Sequence, residues 1–497
     1  MNEIRTKTKI VATLGPSAND YETIKKLALS GVTMFRINTS HGEKEEQALK
    51  IQFIRQAEKE LNRNIPVLID LQGPKIRVGE IKEPIHIEKG QELILEYSNV
   101  TKEGITNNKG NANVLSDTEQ ICIIPVDYEG IAQDVTAGEK ILLDDGKVAL
   151  RAVKVQNSKV YTKVEHGSVI KQRKGINIPS AQANLEAVTP RDKEYIKFAL
   201  EQEADYLALS FVRTAEDIKC ARYYTKAFGN KEIPIIAKIE KPQALENLEE
   251  IIKSADGIMV ARGDLGIEMP PQDVPIAQKE IIMLANIRKK PCIVATQMLE
   301  SMIEEPIPTR AEANDVANAI YDGADAIMLS GETAVGNYPV EAVKMMTLIS
   351  KSVEESQFLK TDYDVDLIAE LNPAAQAISS SAVNIAKKLN AKGILIFSDK
   401  GYTPPIISKL KPSVPIIVVT GSKSTARRLS LFWGLFTYVD NGCNSVLDEA
   451  LFRKIDEMLI ERARFSEGDD IVIVNSVPKL MTGTINTIRI HKIGDTQ

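Results

Sequence analysis

Ala204-Asp205-Tyr206-Leu207-Ala208-Leu209-Ser210 recurs in altered form as Ala255-Asp256-Gly257-Ile258-Met259-Val260-Ala261-Arg262 and as Ala324-Asp325-Ala326-Ile327-Met328-Leu329-Ser330. Each copy runs from a small residue and an acid, through a short apolar run, to a polar residue, and each follows a helical pattern. Gly31-Val32-Thr33-Met34-Phe35-Arg36 is a looser fourth copy, and further apolar runs lie at 8–14, 65–71, 233–239 and 291–297. That makes eight strands, nearly all separated by amphipathic helices. After residue 42, for example, Ile51, Ile54, Ala57 and Leu61 share one face and charges take the other. Before the first helix Asn19 and Glu22 have capping-box spacing, and Gly31 stands just past its end. Apolar strands alternating with such helices indicate a parallel sheet covered on both sides, and eight units predict an α/β protein built on a (β/α)8 TIM barrel. A doubly wound open sheet is the competing reading. No GxGxxG follows any strand, so the barrel is preferred.

One connection breaks the rhythm. Residues 75 to about 173 carry short alternating runs with tight-turn signals, such as 139–143, Asp144-Asp145-Gly146-Lys147, 148–155, Asn157-Ser158 and 159–165. Such pairs between alternating strands mark hairpins, so a small β-barrel lid is expected at the strand ends. A charged stretch around 354–370 reads as a linker, followed by an αβ region with strands near 393–398, 414–420, 434–439, 469–475 and 486–492. The expected domains are therefore a catalytic barrel, 1–73 plus 174–355, a lid, 74–173, and a C-terminal αβ domain, 356–497. No appended phosphotransfer-like domain is expected after it.

The rest of the composition narrows the function. At 497 residues the chain is too long for one core, and 43% apolar with 26% charged residues is ordinary for a soluble globular protein. A net charge of −6 disfavours nucleic-acid and membrane-surface partners, which need a concentrated basic face. The N-terminus lacks a signal-like apolar stretch, and no run is long enough for a membrane span. Cys122, Cys220, Cys292 and Cys443 are far apart, with no CxxC pair, which suits small core residues in a reducing cytoplasm.

In a barrel, the polar residues that end each strand converge on one mouth. They are Arg36, Asn38 and Ser40; Asp70; Ser210 and Arg213; Lys238 and Glu240; Arg262, Gly263 and Asp264; Thr296 and Gln297; Ser330 and Glu332. Only His41 is a nearby histidine, so acyl-transfer triads and His-ligated zinc are disfavoured. Carboxylates among cations suit a metal-dependent reaction on an anionic, phosphorylated substrate. Lys238 and Glu240, two apart, share one strand face, and Glu240 and Asp264 end neighbouring strands, where both can reach one Mg²⁺. Gly263 and Gly266 let backbone amides approach an anion at a helix start. An isolated Lys-x-Glu would read as a salt bridge; among these charges the functional reading prevails. Arg36 alone reads equally as a rim ion pair or an anion ligand. Thr296 alone reads better as satisfying a backbone group, and His41 is even between surface residue and nucleotide contact.

Seven stretches together resemble the pyruvate kinase family. They are Lys9-Ile10-Val11-Ala12-Thr13-Leu14-Gly15-Pro16-Ser17, Phe35-Arg36-Ile37-Asn38-Thr39-Ser40-His41-Gly42, Gly73-Pro74-Lys75-Ile76-Arg77, Ala237-Lys238-Ile239-Glu240, Ala261-Arg262-Gly263-Asp264-Leu265-Gly266, Ala295-Thr296-Gln297-Met298-Leu299-Glu300-Ser301-Met302, and Pro308-Thr309-Arg310-Ala311-Glu312 through Ser330-Gly331-Glu332-Thr333-Ala334. The resemblance implies phosphoryl transfer from phosphoenolpyruvate to ADP, giving pyruvate and ATP in glycolysis, by a homotetramer, and it assigns effector binding and oligomerisation to the C-terminal αβ domain. It implies Mg²⁺ on Glu240 and Asp264, and the substrate carboxylate on amides around Gly263 and Asp264 with Thr296. Arg36 and Lys238 would neutralise the moving phosphoryl group, and Thr296 and Ser330 would organise protonation of the enolate. Asn38, His41, Arg77 and Arg191 resemble positions near the nucleotide.

Three departures from the family pattern matter. Lys75 stands where many members have the glutamate associated with K⁺, bound near the equivalents of Asn38, Ser40, Asp70 and Leu71. A fixed ammonium there replaces a monovalent cation, so activity without K⁺ is expected. Arg191 stands where lysine is common. Ser398-Asp399-Lys400-Gly401-Tyr402-Thr403 resembles the family's sugar-phosphate effector loop, with Lys400 in place of its usual serine and Tyr402 in place of a frequent arginine; sugar phosphates or AMP are the effectors implied. Thr420 to Thr425 would add phosphate contacts or cap the next helix. Two other functions compete. A Mg²⁺-dependent pyruvate-enolate lyase or aldolase leaves the large lid and Arg77 unexplained, and a catalytically silent sensor predicts the loss of a group among Lys238, Glu240, Asp264 and Thr296, all present.

Overall fold

The computed structural model describes residues 6–98, 121–179, 185–229, 232–359, 373–440, 449–463, 465–475 and 485–495. Eight parallel strands close into a barrel: Lys9–Leu14, Met34–Asn38, Val67–Asp70, Tyr206–Leu209, Ile235–Ile239, Gly257–Ala261, Cys292–Ala295 and Ala326–Leu329. They neighbour one another in chain order, and the first pairs with the last through Lys9 and Ala326. Side chains alternate between two destinations. Ile10, Ala12, Phe35, Ile37, Val67, Ile69, Leu207 and Leu209 face outward into the layer shared with the helices. Val11, Met34, Leu68, Tyr206, Ile236, Met259, Ile293 and Met328 fill the barrel interior.

The first helix, Tyr21–Ser30, is capped by Asp20, whose carboxylate accepts from the Thr23 amide at 3.0 Å. Asn19, the expected cap, ends the preceding turn in a helical conformation, whereas Asp20 is extended and so can reach back to the helix. Gly31 closes that helix at φ +135°, and a Cβ there would lie 2.2 Å from Thr347 Oγ1. Both the conformation and the close approach demand glycine.

The lid is a seven-stranded sheet with an isolated bridge from Val78 to Val126 joining its two edges. Its hairpin of Val148–Gln156 and Lys159–His166 turns at Asn157 and Ser158, both with positive φ as a two-residue turn requires. The sheet continues past the boundary expected at 173. Gly175–Asn177 pairs with Ile76–Arg77 and with Lys140–Leu143, because the returning chain completes the lid before it re-enters the barrel.

All five expected C-terminal strands are present, as Gly393–Phe397, Ile416–Thr420, Leu435–Val439, Asp470–Asn475 and Thr487–Lys492, the last antiparallel to its neighbour. The helix Pro339–Glu354 runs into the stretch read as a linker, and residues 360–370 of that stretch lie outside the described residues. The C-terminal region closes the barrel floor. Leu431 joins the interior cluster, and Arg427 forks onto Glu58 with Nε at 2.8 Å and a terminal nitrogen at 2.5 Å. Among the described residues, no helix is long and apolar enough to cross a membrane.

Candidate active site

Strand parity builds the site. Two residues beyond Met34, Leu68 and Ile236 on the same inward face come Arg36, Asp70 and Lys238, then Glu240 beyond Lys238, so four charges rise from the core toward the carboxyl mouth. Arg36 Nε donates to Asp70 Oδ2 at 2.7 Å, and its NH1 donates to Thr13 Oγ1 at 3.0 Å. The Lys238 ammonium lies 2.7 Å from Ser210 Oγ, 2.8 Å from Glu240 Oε1 and 3.3 Å from Asp70 Oδ1. Asp70 and Glu240 are each only 1% exposed.

Burial and charge compete for each proton. Burial would raise Asp70, but Lys238 and Arg36 outweigh it and hold the carboxyl below its usual range. Burial would likewise lower Lys238, yet Asp70 and Glu240 win and push its pKa up, which keeps the ammonium charged. Glu240 is raised, chiefly by burial, against the pull of Lys238 and with a further push from the like charge of Asp264. Geometry agrees, since the strands that lead to Glu240 and Asp264 pair with Ile239 opposite Val260, which brings both carboxylates to one stretch of the rim. Glu240 Oε2 accepts the Phe211 amide at 2.7 Å, whereas Oε1, though beside the ammonium, accepts no well-formed hydrogen bond. A buried carboxylate oxygen left in that state, with a second carboxylate nearby, fits a Mg²⁺ that completes its shell with substrate and water oxygens.

Asp264 and Gly263 lie in the first turn of the helix Arg262–Glu268, as the sequence suggests. The Gly263 amide is already engaged, donating to Thr296 Oγ1 at 2.7 Å, and that hydroxyl donates in turn to Ala295 O at 2.5 Å. Thr296 and Gln297 have φ of +70° and +53°, and Phe211 has +56°. Three non-glycine residues in this region at one barrel mouth store backbone strain of about 1–3 kcal/mol each, held by their surroundings. Arg262 supplies much of that hold, donating to the Thr296 and Gln297 carbonyls at 2.9 and 3.2 Å while paired with Asp315 at 2.7 Å. Ser330 gives its amide to Glu332 Oε2 at 2.7 Å, and its buried hydroxyl makes no hydrogen bond.

Other expected site residues lie around this centre. Asn38 is paired in register with Asp70, and its side-chain oxygen accepts the Ser40 amide at 3.1 Å. His41 is exposed on the same loop, and Leu71 is buried with its amide on Ala208 O. Arg191 donates to Thr39 O at 3.2 Å from the helix Pro190–Glu201. Arg77 belongs to the lid, where its guanidinium donates to Arg173 O at 3.1 Å. Lys75 packs against Gly175, and its ammonium faces Asp145 of the lid turn at 3.9 Å rather than pairing with Asp70. In the loop around Asp399, Ser422 caps the helix Lys423–Leu429, and Asp399 Oδ1 accepts the Gly421 amide at 3.1 Å.

Sequence reasoning placed Ser210 and Arg262 at the mouth without roles, and it missed Phe211. The signal for Phe211 was adjacency: it follows a strand-end serine, where the backbone must turn sharply out of the barrel.

Together these features define a TIM-barrel enzyme with a buried, charge-balanced pocket at the strand ends and a β lid beside it. The family "Pyruvate kinase, barrel domain" matches residues 5–343, and "Pyruvate kinase, alpha/beta domain" matches 376–491. A pyruvate kinase of Thermotoga maritima is 43% identical over 491 residues, covering 98% of this chain and 99% of the relative. That of Geobacillus stearothermophilus is 39% identical over 500 residues, covering 99% of this chain and 81% of its own. A crystal structure of a Cryptosporidium parvum pyruvate kinase superposes with a TM-score of 0.86 at 33% identity, covering 98% of this chain and 96% of its own. The chain belongs to the pyruvate kinase family, and it is an enzyme, a phosphotransferase.

Proposed function

We propose that the enzyme moves the phosphoryl group of phosphoenolpyruvate onto ADP in the glycolysis of the cytoplasm, with Mg²⁺ held by Glu240 and Asp264 and no requirement for K⁺. The observation that carries this is the buried set Arg36, Asp70, Lys238 and Glu240, in which two cations and two carboxylates balance at the mouth. Glu240 and Asp264 would hold Mg²⁺ there, and the ion would supply positive charge to offset that of the substrate. Phosphoryl transfer asks a protein mainly to position groups and offset charge. Asp70 and Thr13 fix Arg36 through Nε and NH1, and the guanidinium so held is assigned to the phosphoryl oxygens. Lys238, held charged by its carboxylate neighbours, offsets charge as the phosphoryl group moves.

Thr296 orders the turn at Gly263 and Asp264, where the substrate carboxylate is received, and the Ser330 hydroxyl is free to hold the water that protonates the enolate. Asn38, His41, Arg77 and Arg191 are assigned to the nucleotide, and lid closure over them excludes water. For Lys75, a 3.9 Å pair with a 60% exposed Asp145 is weak, so the ammonium can turn toward Asn38, Ser40, Asp70 and Leu71 and take the place of a monovalent cation. A homotetramer is assigned from membership of the family. The loop 398–403 is assigned to a sugar phosphate or AMP. The test is ATP formation from phosphoenolpyruvate and ADP with K⁺ replaced by tetramethylammonium. Comparable rates support the proposal, a large drop refutes the K⁺ assignment, and pyruvate without ATP refutes the reaction.

A further inference from the structure

The lid returns to the barrel through Gly175–Asn177, and this return is tied to the catalytic mouth at two points. Asn177 Nδ2 donates to Glu268 Oε1 at 2.7 Å, and Gln243 Nε2 donates to Pro179 O at 3.3 Å. Glu268 ends the seven-residue helix whose first turn carries Gly263 and Asp264, and Lys241, next in chain to Glu240, lies 3.9 Å from the same carboxylate oxygen.

Glu268 is an expensive residue for this position. A carboxylate at a helix C-terminus opposes the helix dipole, and this one is 5% exposed. Its second oxygen, Oε2, accepts no hydrogen bond, so packing alone gives no reason for a charge here. Among the described residues, its gains are the two contacts that join separate parts of the site. One reaches the lid's return strand and the other reaches the residue after Glu240.

We infer that Glu268 is a positioning residue for phosphoryl transfer, locking the lid's return strand to the helix that bears Asp264 and to the strand end that bears Glu240. A lid displacement then moves Asp264, and the two carboxylates assigned to the metal come into register only when the lid strand is seated. The inference rests on the assignment of Asp264 and Glu240 to Mg²⁺.

The test exchanges the two partners. Asn177→Asp sets two carboxylates face to face and should lower kcat about tenfold or more, the loss expected for a hydrogen bond to a charged group, with KM for phosphoenolpyruvate changing less. Asn177→Asp combined with Glu268→Gln restores a donor–acceptor pair in reverse and should recover most of kcat. A combined variant no faster than Asn177→Asp alone, or an Asn177→Asp variant at wild-type kcat, overturns the inference. Should Asn177→Asp fail to fold, Glu268→Ala and Asn177→Ala replace it, with losses that do not multiply in the double variant; multiplying losses overturn the inference. Mn²⁺ binding to Asp264→Asn separates the two proposals: retained affinity refutes the metal assignment whatever the partner exchange gives.

Discussion

Asp325 lies fully buried beneath the barrel, facing Lys409 at 2.5 Å and Lys411 at 3.9 Å. One carboxylate neutralises one ammonium, so Lys411 is the surplus charge. Burial drives its pKa down to about 7, with Asp325 opposing the fall and Lys409 adding to it. In the unfolded chain this lysine titrates near 10.5. The folded state therefore releases its proton first as pH rises, and stability climbs between about pH 7 and pH 10.5. Below that window the ammonium is charged in both states and the whole penalty stands. The slope has an upper bound of about 1.4 kcal/mol per pH unit, or roughly 2–3 kcal/mol between pH 7 and 9. Lys411→Met keeps the apolar stem and removes the charge, so it should stabilise the junction at pH 6, and that advantage should shrink by roughly 2–3 kcal/mol by pH 9. Trp433, the only tryptophan, has its ring 4.7 Å from the Lys411 ammonium and reports on this junction directly. Urea transitions followed by its fluorescence at pH 6, 7, 8 and 9 give the midpoints. Wild-type and variant midpoints that run parallel across this range refute the reasoning.

Further outcomes follow from the site and the fold. Lys238→Met should cost at least about a thousandfold in kcat, as expected for an electrostatic group at the transferring phosphoryl, with a native circular dichroism spectrum; retained turnover counts against its role. Gly31→Ala combines positive φ with a 2.2 Å clash against Thr347, whereas Gly138→Ala, at φ +92° with open space, pays about 1–2 kcal/mol of backbone strain alone. Melting temperatures should fall further for Gly31→Ala, and equal losses would show that the clash relaxes freely.

The eight barrel strands were legible because each is a short apolar run between amphipathic helices, and the lid hairpins because Asn157-Ser158 needs an unusual backbone. The four central charges were legible from their places at strand ends, and parity tied one pair: once Lys238 faces inward, Glu240 must as well. Choices between adjacent polar residues were not. Asn19 and Asp20 are both good caps, and the backbone conformation decides for Asp20. A long side chain gives a Cα position but not an endpoint, which is why Lys75 faces Asp145 instead of Asp70. Contacts between positions far apart in the chain, 84 residues for Lys409 with Asp325 and 369 for Arg427 with Glu58, leave no local signal at either end.

The central claim is that Glu240 and Asp264 together hold the divalent ion beside Lys238. Water-proton relaxation with Mn²⁺ measures it directly on wild type, Glu240→Gln and Asp264→Asn. The account predicts one tight site per chain in the wild type, weakened at least about tenfold by either substitution, the loss of one direct ligand. Unchanged Mn²⁺ affinity in either variant would contradict it.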